Sequence, residues 1–340
     1  MTLKKLFSVL LLAMSIIFST YAKSGIFNSE AYDIALNYTD TSYPGDAIFI
    51  RMKFSENKKI KKSKEHSLKI TASAKLYNGE KSVGTSDFYI LNEKKSEKNK
   101  VTLLTGIPLS SWLKEGTYTL KINYIFDQDE EMEFELPVEL KTKEFITEKI
   151  PLDNKNTSIK TDTSPERMKQ IEKLNKILAT VNPDAVYQTN AFNVPVNSTR
   201  YTSFFADRRT YVYTNGKSST SLHYGKDYGV PTGTEVFSCA RGKVVLAETR
   251  VSTGYSIVIE HLPGLYSLYY HLSELKVKEG DIVNANDLIG LSGATGLATG
   301  PHLHWEMRLN MEAVNPDFFT SDFSFSDSEL NIKKTRSTQK

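Results

Sequence analysis

The sequence predicts an all-β-dominated chain: an N-terminal antiparallel β-sandwich, a short linking helix, and a C-terminal antiparallel sheet that carries the chemistry. Three observations predict it. Segments before residue 146 alternate apolar and polar residues with period two and are separated by turn signals. A helix start stands at Ser164-Pro165-Glu166. Beyond Thr202 strand patterns return, rich in Gly and Tyr, and with them come five of the six histidines. At 340 residues the chain is long enough for two domains.

Taken in order, the first element is a leader. Lys4 and Lys5 precede an apolar run from Leu6 to Phe18, and Thr20-Tyr21-Ala22 offers small residues for cleavage, so residues 1–22 read as a signal peptide. The run is shorter than the roughly 20 residues of a membrane span. No stable span is therefore expected after cleavage, and a retained anchor is the other reading. Export predicts a periplasmic or cell-envelope location. The net charge of +3 falls to +1 without Lys4 and Lys5, a balance that points to neither nucleic acid nor a membrane surface. Cys239, the single cysteine, has no partner for an internal disulfide and is expected to pack as a small core residue.

Residues 26–146 are expected to form the sandwich. In Leu68–Leu76, Leu68, Ile70, Ala72, Ala74 and Leu76 share one face and Lys69, Thr71, Ser73 and Lys75 the other; Asn78-Gly79 then signals a hairpin. Tyr118–Tyr124 and Met132–Leu140 alternate alike, which suggests an immunoglobulin-like style of sandwich. Two basic runs, Lys58 to Lys64 and Lys94 to Lys100, read as solvated loops; contact with an anionic polymer or lipid headgroups is the alternative. His66 is expected to be solvated.

Residues 147–183 read as linker and helix. Periodicity is lost from Thr147 to Thr163, after which Ser164 caps a helix with an apolar stripe of Met168, Ile171, Leu174, Leu178 and Val181, stopped by Pro183. Packing on one of the units is expected of it, rather than an autoinhibitory role.

Residues 184–320 form the second unit, and 321–340, rich in Ser and Lys, read as a disordered tail. Ile257–His261 and Leu265–Leu272 flank a Pro263-Gly264 turn as a hairpin. Alternation puts His271 on one face with Ser267 and Tyr269, the more polar face that a cleft residue should occupy, and His261 with Ile257 and Ile259, where a structural role is expected. The glycine run 290–300 lacks the Lys and the spacing of a phosphate loop and is expected to shape a turn before His302.

His223, Asp227, His302 and His304 stand as H-Y-G-K-D (223–227) and P-H-L-H-W (301–305). Imidazoles and a carboxylate suit a borderline-soft cation such as zinc, with an open position for water. In a strand, residues i and i+2 share a face, so His302 and His304 project together while Leu303 turns to the core. His223 and Asp227 would lie roughly 13 Å apart on a straight strand; Gly225 between them permits the bend that unites them. Spacing leaves open which member of H-x-H is the ligand.

With these motifs the sequence resembles the lysostaphin-type (LytM-like) zinc endopeptidases, which cut peptidoglycan peptides. The resemblance runs from about Thr202 to Phe319, through T-S-F-F-A-D-R-R (202–209), H-Y-G-K-D-Y-G-V-P-T-G-T-E-V (223–236), R-G-K-V-V (241–245), G-Y-S-I-V-I-E-H (254–261), L-Y-Y-H-L-S (268–273) and G-A-T-G-L-A-T-G-P-H-L-H-W-E (293–306). It implies that His223, Asp227 and His304 hold Zn2+, while His271 and His302 position and deprotonate the attacking water. Lys226 and Trp305 depart from residues common in the family at positions not expected to alter ligation. Tyr211 and Tyr213 lie near the place of a family tyrosine, but their spacing assigns neither.

The function expected is zinc-dependent hydrolysis of peptide cross-links in bacterial peptidoglycan, with stems or cross-bridges as substrate, no nucleic acid, and a regulatory protein as a conceivable partner of the first unit. The competing reading is a non-catalytic wall-binding or regulatory module that activates other wall hydrolases. A purely structural zinc fails because such a site is closed by four protein ligands.

Overall fold

The computed structural model describes residues 22–29, 32–56, 69–91, 100–126, 131–321 and 325. The leader, His66, both basic runs apart from Lys100, and nearly all of the tail lie outside them.

Alternation does set the first unit. Its strands are β1 (Ala22–Asn28), β2 (Tyr32–Thr39), β3 (Thr41–Ser42), β4 (Ala47–Glu56), β5 (Ile70–Asn78), β6 (Lys81–Asp87), β7 (Tyr89–Leu91), β8 (Lys100–Pro108), β9 (Gly116–Phe126) and β10 (Met132–Leu140). One sheet has the order β1-β2-β4-β8-β7 and the other β3-β10-β9-β5-β6. Ile70, Ala74 and Leu76 of β5 are buried with Leu120, Ile122, Leu36 and Ile50 in the core between them. Asn78 pairs with Lys81, so Gly79, at φ +57°, and Glu80 make the β5–β6 turn. The two sheets make the β-sandwich that the alternation predicts.

The segment 147–163, read as linker, is structured. β11 (Thr147–Pro151) is followed by α1 (Asn154–Thr161), capped by Asp153, whose carboxylate accepts from the Asn156 N–H. No apolar stripe follows Asp153, so periodicity does not announce this helix. α2 (Pro165–Leu178) starts as expected, with Ser164 accepting from the Arg167 N–H. It stops five residues before Pro183. Leu174, Ile177 and Leu178 pack on Leu246, Val258 and Leu268, whereas Met168 and Val181 are exposed. The stripe therefore docks through Leu174 and Leu178.

The second unit adds β12 (Tyr201–Ser203), β13 (Arg208–Val212), β14 (Ser218–Leu222), β15 (Lys226–Tyr228), β16 (Glu235–Phe237), β17 (Gly242–Arg250), β18 (Gly254–Leu262) and β19 (Leu265–Leu272). It continues through β20 (Glu274–Leu275), β21 (Ile282–Val283), β22 (Leu288–Leu291), β23 (Leu303–Leu309), β24 (Glu312–Val314) and α3 (Pro316–Thr320). The main sheet has the order β12-β15-β23-β19-β18-β17-β21, with β24 also beside β23. β11 runs parallel to β13 and extends the β13–β14 hairpin, so the interdomain segment is a strand of the second unit's flank. A second core joins the two units. Ala47, Phe49 and Leu104 are buried with Leu309, Phe318, Phe319 and Phe325, and Asn310 Nδ2 donates to the Gly106 carbonyl at 3.1 Å.

Candidate metal centre

Strand register brings the motifs together. Asp227 of β15 sits directly opposite His304 of β23, and His223 directly follows β14. Gly225 makes the approach possible: a Cβ there would lie 2.3 Å from the Trp305 carbonyl oxygen. Lys226, next to Asp227 and therefore on the opposite face, reaches Asp317 at 2.7 Å and the Tyr201 ring. Trp305 is fully buried, so both departures from the family pattern point away from the cluster.

His223 Nε2, Asp227 Oδ1 and His304 Nδ1 converge, at 3.0 Å, 2.9 Å and 2.7 Å from one another. The partners behind them fix their protons. His223 Nδ1 lies 2.7 Å from the Phe204 carbonyl, which can only accept, so Nδ1 carries the hydrogen and Nε2 presents a lone pair. His304 Nε2 donates to Glu306 Oε1 at 2.9 Å, leaving Nδ1 to face the centre. The three atoms point at one spot, where either a proton shared by His304 Nδ1 and Asp227 Oδ1 or a divalent cation in its place would satisfy them. Burial works against protonating His304, yet Asp227 and Glu306 outweigh it and push its pKa up to about 9. Burial holds the neighbouring His223 below its ordinary value. Asp227 lies well below the carboxylate range: burial alone would raise it, and His223 and His304 more than offset that. The donor set thus fits a divalent ion, and these three residues are the group of metal-binding type found among the described residues.

The remaining two histidines flank this centre. Their rings lie 4.7 Å apart, and His302 Nε2 is 3.8 Å from Asp227 Oδ1. Carbonyls from the glycine run orient both: Thr295 accepts from His271 Nδ1 and Gly300 from His302 Nδ1, each at 2.8 Å. Each ring therefore turns Nε2, with its lone pair, away from these carbonyls. Burial, reinforced by His302 and His304, lowers His271 to about 3, so it is neutral.

His271 lies in the cleft as expected, but not by sharing a face with Ser267 and Tyr269. Ser267 and Tyr269 point into the core, where they bond to His261 and Cys239, while Tyr270 stacks on His304 with ring centroids 5.5 Å apart. His271 has φ +61°, and the β18–β19 register shifts there. That left-handed residue reverses the alternation and swings the imidazole into the cleft. His261 is fully buried, its ring nitrogens facing Ser267 Oγ and the Arg241 carbonyl, as a structural residue.

A cavity of about 710 Å³ opens over the centre, lined by His223, Asp227, His271, His302 and His304. Glu148, Ile150 and Leu152 of the interdomain segment form part of its wall. Arg209 joins that segment to the centre, its Nε donating to Glu148 at 2.8 Å and its Nη2 to Asp227 Oδ2 at 3.3 Å. Tyr211 also lines the cavity, whereas Tyr213 bonds to Ser219. The sequence reading passed over Arg209, Glu148 and Glu306; only the W-E after H-L-H and the paired arginines at 208–209 hinted at them.

Residues 221–316 match Peptidase family M23. An uncharacterized metalloprotease of Buchnera aphidicola is 28% identical over 200 residues, which are 48% of this chain and 53% of that protein. Peptidoglycan DD-endopeptidase ShyA of Vibrio cholerae is 38% identical over 122 residues, 36% of this chain and 28% of that protein. The chain thus spans about half the length of the first relative and under a third of the second. The crystal structure of a putative peptidase M23 from Pseudomonas aeruginosa is 23% identical with a TM-score of 0.49, over 74% of this chain and 92% of that one.

Proposed function

From a chain whose residues 221–316 carry a peptidase family M23 domain, we propose a zinc-dependent endopeptidase that hydrolyses peptide cross-links of bacterial peptidoglycan. The observation that carries the reading is the convergence of His223 Nε2, Asp227 Oδ1 and His304 Nδ1 in the floor of an open cavity. Similarity to a protein named a peptidoglycan DD-endopeptidase supports the substrate. Export belongs to the same proposal and rests on the leader.

His223, Asp227 and His304 would hold the ion, which polarises a scissile carbonyl and acidifies water when bound. Glu306 keeps His304 in the tautomer that offers Nδ1. His271, held neutral by burial, and His302 lie beside the centre, each with Nδ1 tied to a backbone carbonyl. One would accept the proton of the attacking water at Nε2; the other, when it carries a proton at Nε2, would steady the tetrahedral oxyanion or pass that proton to the leaving amine. The apolar edge made by Ile150, Leu152 and Val230 excludes water from one side of the peptide. Nothing in this geometry favours the non-catalytic reading, since every expected donor is present.

The test is turnover of purified cross-linked peptidoglycan by zinc-loaded protein, with the His304→Ala variant alongside and products identified by mass. Release of un-cross-linked peptides by wild type alone is expected. Protein that binds one zinc tightly and releases nothing would overturn the proposal.

A further inference from the structure

The cavity over the histidines holds one formal charge that the centre does not use. Five of its lining side chains are carboxylates or guanidiniums: Glu148, Arg200, Arg209, Asp227 and Glu306. Glu148 and Asp227 are both taken by Arg209, and Glu306 by His304 and Arg308. Arg200 alone has no carboxylate partner among the described residues.

Its guanidinium is nevertheless held in place. Nη1 donates to the Gly229 carbonyl at 3.0 Å, while the Gly229 N–H donates to the Arg200 carbonyl at 2.9 Å. A Cβ on Gly229 would lie 2.5 Å from Nη1 and 2.7 Å from Thr202 Cγ2, so only glycine lets the guanidinium lie along this edge. The neighbouring Tyr201–Ser203 strand pairs with β15 through Ser203 and Asp227, which ties Arg200 to the same rigid element as the metal-site carboxylate. A planar fork with free N–H groups, fixed at one corner and open to the cavity, is suited to bind a carboxylate through two parallel hydrogen bonds.

We infer that Arg200 recognises a free carboxylate on the peptide substrate and so selects for acidic peptides at this site. The inference rests on the proposed endopeptidase reading for its ligand, a peptide. Two carboxylates could serve, the C-terminal group of a stem or a side-chain group within it.

The experiment uses zinc-loaded full-length protein and three matched cross-linked peptides: one with all carboxylates free, one amidated at the C-terminus, one amidated at the side chain. Arg200→Gln should raise KM for the free acid about tenfold, the scale of a charge-assisted hydrogen bond partly screened by water, and leave kcat nearly unchanged. Arg200→Lys should recover part of the loss. Amidating the carboxylate that Arg200 holds should cost wild type the same factor and cost Arg200→Gln nothing more; which peptide does so identifies the source. An unchanged KM in Arg200→Gln, or an equal loss for all three peptides, overturns the inference. Calorimetric binding separates it from the enzymatic reading. Carboxylate-dependent binding that Arg200→Gln loses, without turnover by wild type, would sink the endopeptidase and keep the subsite; no binding of any peptide sinks both.

Discussion

Arg209 grips Asp227 by the oxygen that the histidines leave free: Nη2 lies 3.3 Å from Oδ2, while Oδ1 faces His223 and His304. A ligating carboxylate so held cannot rotate, and its second oxygen is kept from competing for the ion. Support of this kind is worth about 10–100-fold in metal affinity. Arg209→Gln should weaken zinc binding on that scale in chelator competition, and Glu148→Gln, which frees only the far side of the guanidinium, should do so less. Unaltered affinity in Arg209→Gln would show that Asp227 needs no such brace.

Ligand and flanking histidines should separate cleanly. His223→Ala and His304→Ala should lose bound zinc and turnover together. His271→Ala should retain one zinc per chain and lose at least about 100-fold in kcat, the scale of general acid–base help. Because His271 occupies a left-handed backbone at φ +61°, His271→Gly should fold at least as stably as wild type while remaining inactive. A His271→Ala protein with near-normal kcat would remove that residue from the mechanism.

Gly225 sets the spacing between the two halves of the centre. With the Trp305 carbonyl oxygen 2.3 Å from where a Cβ would lie, Gly225→Ala must push β15 from β23 at Lys226 and Asp227. A stability loss of about 1–3 kcal/mol is expected in denaturant melts, with zinc affinity falling alongside. Loss of stability with intact zinc affinity would mean the strain is absorbed outside the cluster.

His261 predicts an acid limit to stability. Burial pushes its pKa down from 6.5 to about 4, so the unfolded chain binds this proton more readily than the folded one. Its contribution is complete above pH 6.5 and drains away as pH falls towards 4, by about 3 kcal/mol in all. Denaturant midpoints between pH 7 and 4 should fall less steeply in His261→Gln than in wild type. Parallel curves would place the acid sensitivity elsewhere.

The strands and the histidines were legible because their signals are local. Alternation in Ile70–Leu76 and the Asn78-Gly79 turn need no distant partner, and Ser164 caps its helix within three residues. Where the reading failed, tertiary contact decides the outcome. Nothing in L-Y-Y-H-L announces a left-handed His271, and alternation assigned it to the core face that Ser267 and Tyr269 occupy. β11 pairs with β13 across some sixty residues, so T-E-K-I-P looked like linker until its partner was known. Arg209 and Glu306 matter through what they touch, and a sequence alone does not show touch.

Phe49 of the first unit stacks near Phe318 and meets Phe319 and Phe325 edge-on, with centroids 4.8 to 6.1 Å apart. Sequence divides the chain into two pieces, yet those rings lie in a single apolar interior. Heat should then melt the protein in one calorimetric event instead of two. A protease that nicked the chain between the units would not liberate a tidy enzyme. It would leave a body with a bare aromatic flank, prone to clump with its copies.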